Sequence, residues 1–294
     1  MKRMIEKTAV FLNLIRFEHT LFALPYAVAG AFLAEGGVPG WTTALWILVA
    51  MVGARTAAMS FNRLVDRRLD AENPRTASRP SANGQVSAVF MALATLISSA
   101  VFVAAAWQLN PLCLVLSGPT LVVLLTYSLT KRFFAGSHFV LGLALGLSPV
   151  GAWVAVRGEL GVESLPAVAL GLCVLFWTAG FDMLYACQDE EHDRAHGLFS
   201  IPASVGRRGA FVIARLCHVL VPLLLLGVGW AADLSYPWYG AVSVIAVLLV
   251  YEHRLVGIDD LSRLNRAFFT VNVAIGFIVM AGAVIDVLMG GGIS

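Results

Sequence analysis

Nine stretches of this chain are apolar for about the 20 residues that a helix needs to cross a bilayer. They lie at residues 19–35, 41–61, 86–107, 111–130, 137–156, 165–187, 209–232, 236–252 and 267–289. Backbone polar groups find no water inside a bilayer, so such segments cross it as helices. Charged residues make up only 13% of the chain, against about 25% in soluble domains. The sequence therefore predicts an all-α, polytopic membrane protein, with nine transmembrane helices in one domain over residues 1–294.

The basic residues are distributed unevenly between the connecting segments. Of the 20 Lys and Arg residues, all but Arg55 and Arg157 lie in the N-terminal segment, in the loops after even-numbered windows or at the adjoining helix ends. Because cytoplasmic loops carry the excess of Lys and Arg, we expect an inner-membrane protein with a cytoplasmic N-terminus and an external C-terminus. The longer cytoplasmic loops, at about 63–85, 188–208 and 253–266, are expected to cap a central cavity.

Two acidic motifs lie at the cytoplasmic ends of the second and sixth windows. Their members are Asn62, Asp66 and Asp70 in the first motif, and Asp182, Tyr185, Asp189 and Asp193 in the second. Both spacings predict one face of a helix. Closely spaced carboxylates need a cation, and hard oxygen ligands favour Mg²⁺, which keeps coordination positions for substrate phosphates. The motifs therefore predict two facing Mg²⁺ sites around a phosphorylated, lipidic substrate.

Basic residues near these motifs are candidates for binding that phosphate. Arg75 and Arg79 lie four residues apart in a proline-bounded loop, which suits bidentate contacts to phosphate oxygens. Lys131 follows the fourth window. For all three residues, the alternative is that they only follow the positive-inside rule.

Arg55 lies inside the second window, seven residues before Asn62. A charge within the membrane costs a few kcal/mol, so an arginine there indicates a function. We expect it to bind an anion in the cavity, with an ion pair to Asp182 as the alternative.

One other metal site and two other classes of protein share parts of these patterns. The run from His192 to His196 is close to the H-E-x-x-H zinc pattern, but it has Asp193 as the shorter acid and no evident third ligand, so solvated loop histidines are expected. A transporter of anionic solutes could use intramembrane Arg and Asp, yet it would not need two acidic motifs. A CDP-alcohol phosphotransferase would carry a D-G-x-x-A-R signature, which this sequence lacks.

The motifs resemble those of a known family. Arg55 and the first motif, followed by residues 75–80 (Arg-Thr-Ala-Ser-Arg-Pro), resemble the first signature of the UbiA superfamily of intramembrane prenyltransferases, and the second motif resembles its second signature. Residues 16–25 and 146–153 resemble the 4-hydroxybenzoate polyprenyltransferase branch. Arg63 stands where many members have Asp, and this variant resembles the subgroup of the futalosine route to menaquinone (MqnP).

The resemblance implies transfer of a polyprenyl group from polyprenyl diphosphate to a small aromatic hydroxy acid, with Mg²⁺ as cofactor and no nucleic-acid partner. The acceptor would be 4-hydroxybenzoate in ubiquinone biosynthesis or a dihydroxynaphthoate in menaquinone biosynthesis. Haem farnesylation and chlorophyll synthesis are further activities in the family, which the N-terminal segment disfavours. The expected residues are Asp66, Asp182, Tyr185 and Lys131 for catalysis; Asn62, Asp66, Asp70, Asp189 and Asp193 for metal; Arg75, Arg79 and Lys131 for diphosphate; and Arg16, Arg55 and Asn272 for the acceptor.

Overall fold

The computed structural model describes residues 10, 14–15, 17–258, 260–264 and 267–291, and within these ranges all regular structure is helical. In chain order the α-helices are α1 (Leu24–Glu35), α2 (Trp41–Val65), α3 (Arg67–Glu72), α4 (Ala88–Leu109), α5 (Pro111–Thr130), α6 (Ser137–Arg157), α7 (Leu165–Ala186), α8 (Glu190–Ala195), α9 (Ile201–Ala231), α10 (Tyr236–Leu255) and α11 (Asn272–Leu288). Short 3-10 helices at Phe17–Phe22 and Val162–Ser164 precede α1 and α7, and a π-helical turn at Ala267–Val271 leads into α11.

Among the described residues, seven helical segments are long and apolar enough to cross a membrane, and they contain α2, α4, α5, α6, α7, α9 and α11. The chain is therefore a multi-pass membrane protein. The two other predicted windows are also helical, but neither is among the seven. The helix α1 has 12 residues, or about 18 Å of rise, and α10 ends in the charged run from Glu252 to Arg254.

The chain divides into two compact units, residues 1–20 with 45–129 and residues 21–44 with 130–294, and each is described by itself. In the first unit, α2 packs closely against α4 at Gly53. A Cβ at this position would come within 3.0 Å of the Ser98 carbonyl oxygen and of the Phe102 nitrogen. On α5, the Tyr127 hydroxyl lies 3.9 Å from the sulfur of Met59 on α2. The helix that carries the first motif is therefore held by both of its neighbours.

In the second unit, α6 and α7 run antiparallel with their backbones in close approach. Gly142 and Gly146 lie four residues apart on one face of α6 and meet the α7 backbone at Leu175 and Gly171. A Cβ at Gly146 would lie 2.5 Å from the Gly171 carbonyl oxygen, so a larger residue would push the helices apart. Small residues at such contacts are a usual device for packing helices in membranes.

A buried carboxylate joins α11 to the start of α10. Asp286 accepts hydrogen bonds from the backbone N–H groups of Ser235 at 2.9 Å and Trp238 at 3.0 Å. The first N–H groups of a helix have no partner within the helix, and a negative charge is favourable beside them. Asp286 therefore serves as a cap for the first turn of α10.

Candidate active site

The first motif is built on a break between two helices. α2 ends at Val65, Asp66 has φ −92° and ψ 2°, and α3 starts at Arg67. The prediction of a single helix through Asn62, Asp66 and Asp70 is therefore wrong. Aspartate is a poor residue for a helix interior, and the backbone region it adopts here is one where active-site residues often lie.

Two arginines surround Asp70 at the end of this motif. Its Oδ1 accepts a hydrogen bond from Arg79 Nη1 at 2.7 Å, and Arg63 Nη1 lies 3.6 Å from its Oδ2. Oδ2 is buried and accepts no hydrogen bond from the residues that the structure describes. Earlier in the motif, Asn62 Nδ2 donates to Asp66 Oδ2 at 3.1 Å. The structure thus brings together all three predicted metal ligands of the first motif and one predicted diphosphate ligand, Arg79.

Arg63, the residue in which this chain departs from the family pattern, is buried and holds the motif in place. Its Nε donates to the Leu14 carbonyl at 3.2 Å, and its Nη1 donates to Asn62 Oδ1 at 3.3 Å. The other predicted diphosphate residue of this unit, Arg75, is exposed, with its backbone N–H bonded to the Asn73 side chain at 2.9 Å.

Arg55 lies on α2 and is half-buried. Seven residues separate it from Asn62, which corresponds to about 10 Å of helix. Tyr127 lies near enough to experience the charges of both Arg55 and Arg63. Arg55 is therefore placed deeper in the membrane helix than the carboxylates of its own motif.

The second motif has the same local backbone structure as the first, with a break between two helices. α7 ends at Ala186, Asp189 has φ −102° and ψ 4°, and α8 starts at Glu190. Here too, the single helix predicted through the motif is broken. Asp66 and Asp189 have the same backbone conformation, and each is followed four residues later by another aspartate on a six-residue helix.

Asp193, the counterpart of Asp70, is held by a hydroxyl group. Ser200 Oγ donates to Asp193 Oδ2 at 2.8 Å and accepts the Ala203 N–H at 3.3 Å, so it also caps α9. Burial raises the pKa of Asp193 and the charge of Asp189 adds to this, whereas the Ser200 hydroxyl, Lys131 and His192 lower it. The predicted catalytic residue Lys131 is therefore close to the second motif.

Asp182 makes a contact that the sequence analysis missed. Its Oδ2 lies 2.7 Å from Nδ1 of His138, a buried residue in the first turn of α6. The Ile201 N–H donates to Nε2 of the same ring at 3.4 Å. The pattern His138-x-x-x-Gly142-x-x-x-Gly146 was the available signal, because it places the histidine on the close-packed face of α6. Tyr185, one turn after Asp182, is half-buried.

Glu190 binds the arginines near the second motif. Arg194 Nη2 and Arg207 Nε each lie 2.9 Å from one of its carboxylate oxygens. These two arginines are therefore neutralised by an acid that lies outside the predicted metal ligands.

His192 and His196 do not lie in a loop as predicted. His192 is on α8 and His196 ends it, and their rings stack with centroids 4.0 Å apart. Among the residues that the structure describes, no three His, Cys, Asp or Glu side chains converge on a point that could hold a metal ion.

Asn272 and Arg16 are the two other residues that the sequence predicts to bind the acceptor. Asn272 is fully buried, where its Oδ1 accepts from Trp177 Nε1 at 2.7 Å and its Nδ2 donates to Glu252 Oε1 at 3.0 Å. Its side chain thus connects α7, α10 and α11. Arg16 lies outside the described residues.

The oxygen atoms of the first motif fit Mg²⁺. Asn62, Asp66 and Asp70 supply hard ligands, and no described residue donates a hydrogen bond to the buried Oδ2 of Asp70. Two carboxylates per motif are few for a protein cage, but Mg²⁺ is usually bound through one or two carboxylates together with water and substrate phosphates.

Membrane helices that each end in a kinked, acidic motif define a class of membrane protein with two related polar sites. Residues 23–276 match the UbiA prenyltransferase family, so the chain belongs to that family. The resemblance to the UbiA family that was inferred from the sequence is confirmed.

The chain is 32% identical over 293 residues to the 4-hydroxybenzoate octaprenyltransferase of Aeromonas hydrophila, covering 96% of this chain and 98% of the relative. A UbiA homolog from Aeropyrum pernix, solved without ligand, has a TM-score of 0.82 and 33% identity and covers 92% of this chain and 98% of its own. A UbiA homolog from Archaeoglobus fulgidus bound to DMAPP and Mg²⁺ has a TM-score of 0.68 at 20% identity, with 92% and 98% coverage, and shares the fold.

Proposed function

We propose that this protein transfers a polyprenyl group from polyprenyl diphosphate to an aromatic hydroxy acid of the 4-hydroxybenzoate type, with release of diphosphate. The observation that carries the proposal is the repeated motif. Two helix breaks of the same backbone conformation each hold a pair of aspartates, in a chain whose residues 23–276 match the UbiA prenyltransferase family. The related 4-hydroxybenzoate octaprenyltransferase supports this choice of acceptor.

A membrane position suits the donor. Each buried CH₂ of an isoprenoid tail gains about 0.8 kcal/mol on leaving water, so a polyprenyl diphosphate partitions into the bilayer with its charged head at the surface. Arg79 suits the binding of that head. One of its N–H groups binds Asp70, and the guanidinium has further donors that can reach phosphate oxygens. Arg75 and Lys131 would add positive charge.

In this proposal Asn62, Asp66 and Asp70 in the first motif, and Asp189 and Asp193 in the second, hold Mg²⁺. When bound, Mg²⁺ stabilises the negative charge that develops on the departing diphosphate. The Mg²⁺ in the Archaeoglobus fulgidus homolog supports this use of the metal. The role of the chain is to fix the ligands, which it does through the hydrogen bond from Asn62 to Asp66 and that from Ser200 to Asp193.

The reaction breaks the allylic C–O bond, whose electron pair leaves with the diphosphate. The apolar helices exclude water, which would otherwise capture the allylic cation. The acceptor ring carbon next to the hydroxyl forms the new C–C bond, while Asp182 takes the hydroxyl proton. The ring C–H proton then leaves with the diphosphate, and Asp182 returns its proton to the oxygen. Tyr185, one turn away, would hold the acceptor near Asp182.

The acceptor carboxylate needs a cation, and Arg55 is the described candidate because it lies deep in α2. Arg16 is the second predicted candidate. Asn272 would act from its buried network, by fixing Trp177 in place.

We also infer that α1 and α10 cross the membrane with the other seven segments, which gives nine spans, a cytoplasmic N-terminus and an external C-terminus. The asymmetry of the basic residues supports this topology. In the same proposal, the segments that carry α3 and α8 lie at the cytoplasmic surface of the inner membrane, and both units work as one prenyltransferase domain.

Product analysis by mass spectrometry tests the proposal. Purified protein in detergent would receive geranyl diphosphate with either 4-hydroxybenzoate or a dihydroxynaphthoate, in the presence of Mg²⁺. We expect geranylated 4-hydroxybenzoate and one diphosphate per product. Product from the naphthoate alone would move the chain to the menaquinone branch, which Arg63 leaves open. No product with either acceptor, together with anion uptake by proteoliposomes, would favour a transporter.

A further inference from the structure

Among the described residues, only one of the two carboxylate oxygens of Asp182 has a hydrogen-bond partner. Its Oδ2 lies against His138, whereas its Oδ1 has no hydrogen-bond partner among the residues that the structure describes. The Asp182 side chain is 26% exposed, while that of His138 is only 4% exposed. One oxygen of the carboxylate is therefore fixed to the protein, and the other is open to a ligand.

The contacts of His138 define its tautomer. The Ile201 N–H can only donate, so Nε2 of the ring must accept. The ring proton then lies on Nδ1 and is donated to Asp182 Oδ2. An imidazolium would have no lone pair for the Ile201 N–H. The structure thus holds a histidine whose Nδ1–H orients a carboxylate, as second partners of catalytic groups commonly do.

The fold gives this histidine little freedom. His138 lies one turn before Gly142 on the face of α6 that packs against α7, and Asp182 lies near the end of α7. On its other side the ring meets the first residue of α9. Three helices therefore set the position of the imidazole, and the imidazole sets that of Asp182.

We propose that His138 is the positioning residue for Asp182 and that it turns Oδ1 of this carboxylate towards the acceptor hydroxyl. This inference rests on the proposed function, because it assigns the partner of the group that takes the acceptor proton. A carboxylate free to rotate would present its lone pairs to the hydroxyl for only part of the time. The acceptor step therefore slows when His138 Nδ1 is lost, while donor binding does not change.

A structural role for His138, as a link between α6 and α9, makes a different prediction. That role depends on Nε2 and on the volume of the ring, whereas positioning depends on Nδ1–H. Two amide variants separate these roles. The amide nitrogen of Asn in His138→Asn can take the place of Nδ1, and the longer Gln in His138→Gln reaches the place of Nε2.

The experiment measures steady-state rates of the full-length protein with geranyl diphosphate and 4-hydroxybenzoate. The variants are His138→Asn, His138→Gln, His138→Leu and Asp182→Asn, together with the double variant His138→Leu/Asp182→Asn. General-base catalysis contributes about 10²- to 10⁴-fold, so we expect Asp182→Asn to lower acceptor kcat/KM by about 10²-fold. His138→Leu and His138→Gln should each lower it about 30-fold at an unchanged donor KM, and His138→Asn should stay within about threefold of wild type.

The double variant provides the decisive comparison. If His138 acts only through Asp182, adding His138→Leu to Asp182→Asn should change the rate by less than about threefold. An equal loss from His138→Leu in both backgrounds would overturn the inference, as would wild-type rates in His138→Gln with a loss in His138→Asn. These results leave the proposed function intact. That function fails instead, and the inference with it, if the wild-type protein forms no prenylated product.

Discussion

Asp70 and Asp193 occupy the same place in two motifs of the same build, yet their partners differ. Asp70 lies within 4 Å of two arginines, Arg63 and Arg79. Asp193 accepts a hydrogen bond from the uncharged Ser200. The arginines near the second motif are bound by Glu190 instead. One backbone arrangement therefore supports a carboxylate paired directly with arginines and a carboxylate whose hydrogen-bond partner is an uncharged hydroxyl.

The difference indicates a division of labour. A diphosphate needs positive charge from both metal and protein, and the arginines of the first motif supply the protein's share. The second motif offers Mg²⁺ a carboxylate whose hydrogen-bond partner is the uncharged Ser200, which leaves its charge for direct metal binding more than an arginine would. We expect the first motif to contribute mainly to donor binding and the second motif mainly to metal binding.

Removal of metal should have the largest effect, because both motifs depend on it. We expect EDTA to abolish prenyl transfer and added Mg²⁺ to restore it, since no protein cation replaces a metal that neutralises the departing diphosphate. Diphosphate release, assayed with and without chelator, checks this. Full turnover in EDTA would remove the metal from both motifs.

Loss of a carboxylate should be nearly as severe. Asp66→Ala, Asp70→Ala, Asp189→Ala and Asp193→Ala should each lower kcat/KM by about 10³-fold or more, because a metal ligand contributes several kcal/mol at 1.36 kcal/mol per tenfold. Glu191→Ala is the matched control, since this exposed acid on α8 is outside the predicted ligands. Rates near wild type for both variants of one motif would show that this motif does not bind metal.

The arginine on Asp70 should matter more than an arginine on Glu190. Arg79→Ala should raise the donor KM about 10- to 100-fold, because a hydrogen bond to a charged group is worth about 1.5–3 kcal/mol. Arg194→Ala is the control, since its side chain is 53% exposed and such pairs contribute about 0–1 kcal/mol. Equal effects of both variants on the donor KM would contradict the division of labour.

Arg55 should affect the acceptor rather than the donor. Arg55→Leu should raise the acceptor KM about tenfold with the donor KM little changed, because the loss of one charged contact costs about 1.5 kcal/mol or more. Steady-state kinetics with each substrate varied in turn measure both constants. A loss of donor binding equal to that in Arg79→Ala would leave the acceptor carboxylate without its partner.

Much of this molecule follows from patterns in the sequence, and the exceptions have physical causes. The apolar windows predict the helices because a bilayer permits little else. The breaks at Asp66 and Asp189 were missed, since helical spacing is preserved through an interruption of only one to three residues. The contact between His138 and Asp182 was missed because it joins two helices, and spacing along one helix carries no information on its neighbour.

The departure at Arg63 illustrates the same limit. From the sequence it is only a change of charge beside the motif asparagine. In the fold it is buried, bonded to Asn62 and close to Asp70. The arginine thus forms part of the charge balance that separates the two motifs.

The most direct test of that balance is a Mg²⁺ titration of turnover in Asp70→Asn and Asp193→Asn. Each change removes one charge and keeps the side-chain shape. We expect Asp193→Asn to raise the Mg²⁺ concentration for half-maximal rate at least about tenfold, since within the described part of the chain its carboxylate is bound by Ser200 and not by an arginine. Asp70→Asn should shift it less, with the main loss in the donor KM. Equal shifts in the two variants, or the larger shift in Asp70→Asn, would contradict the division between the motifs.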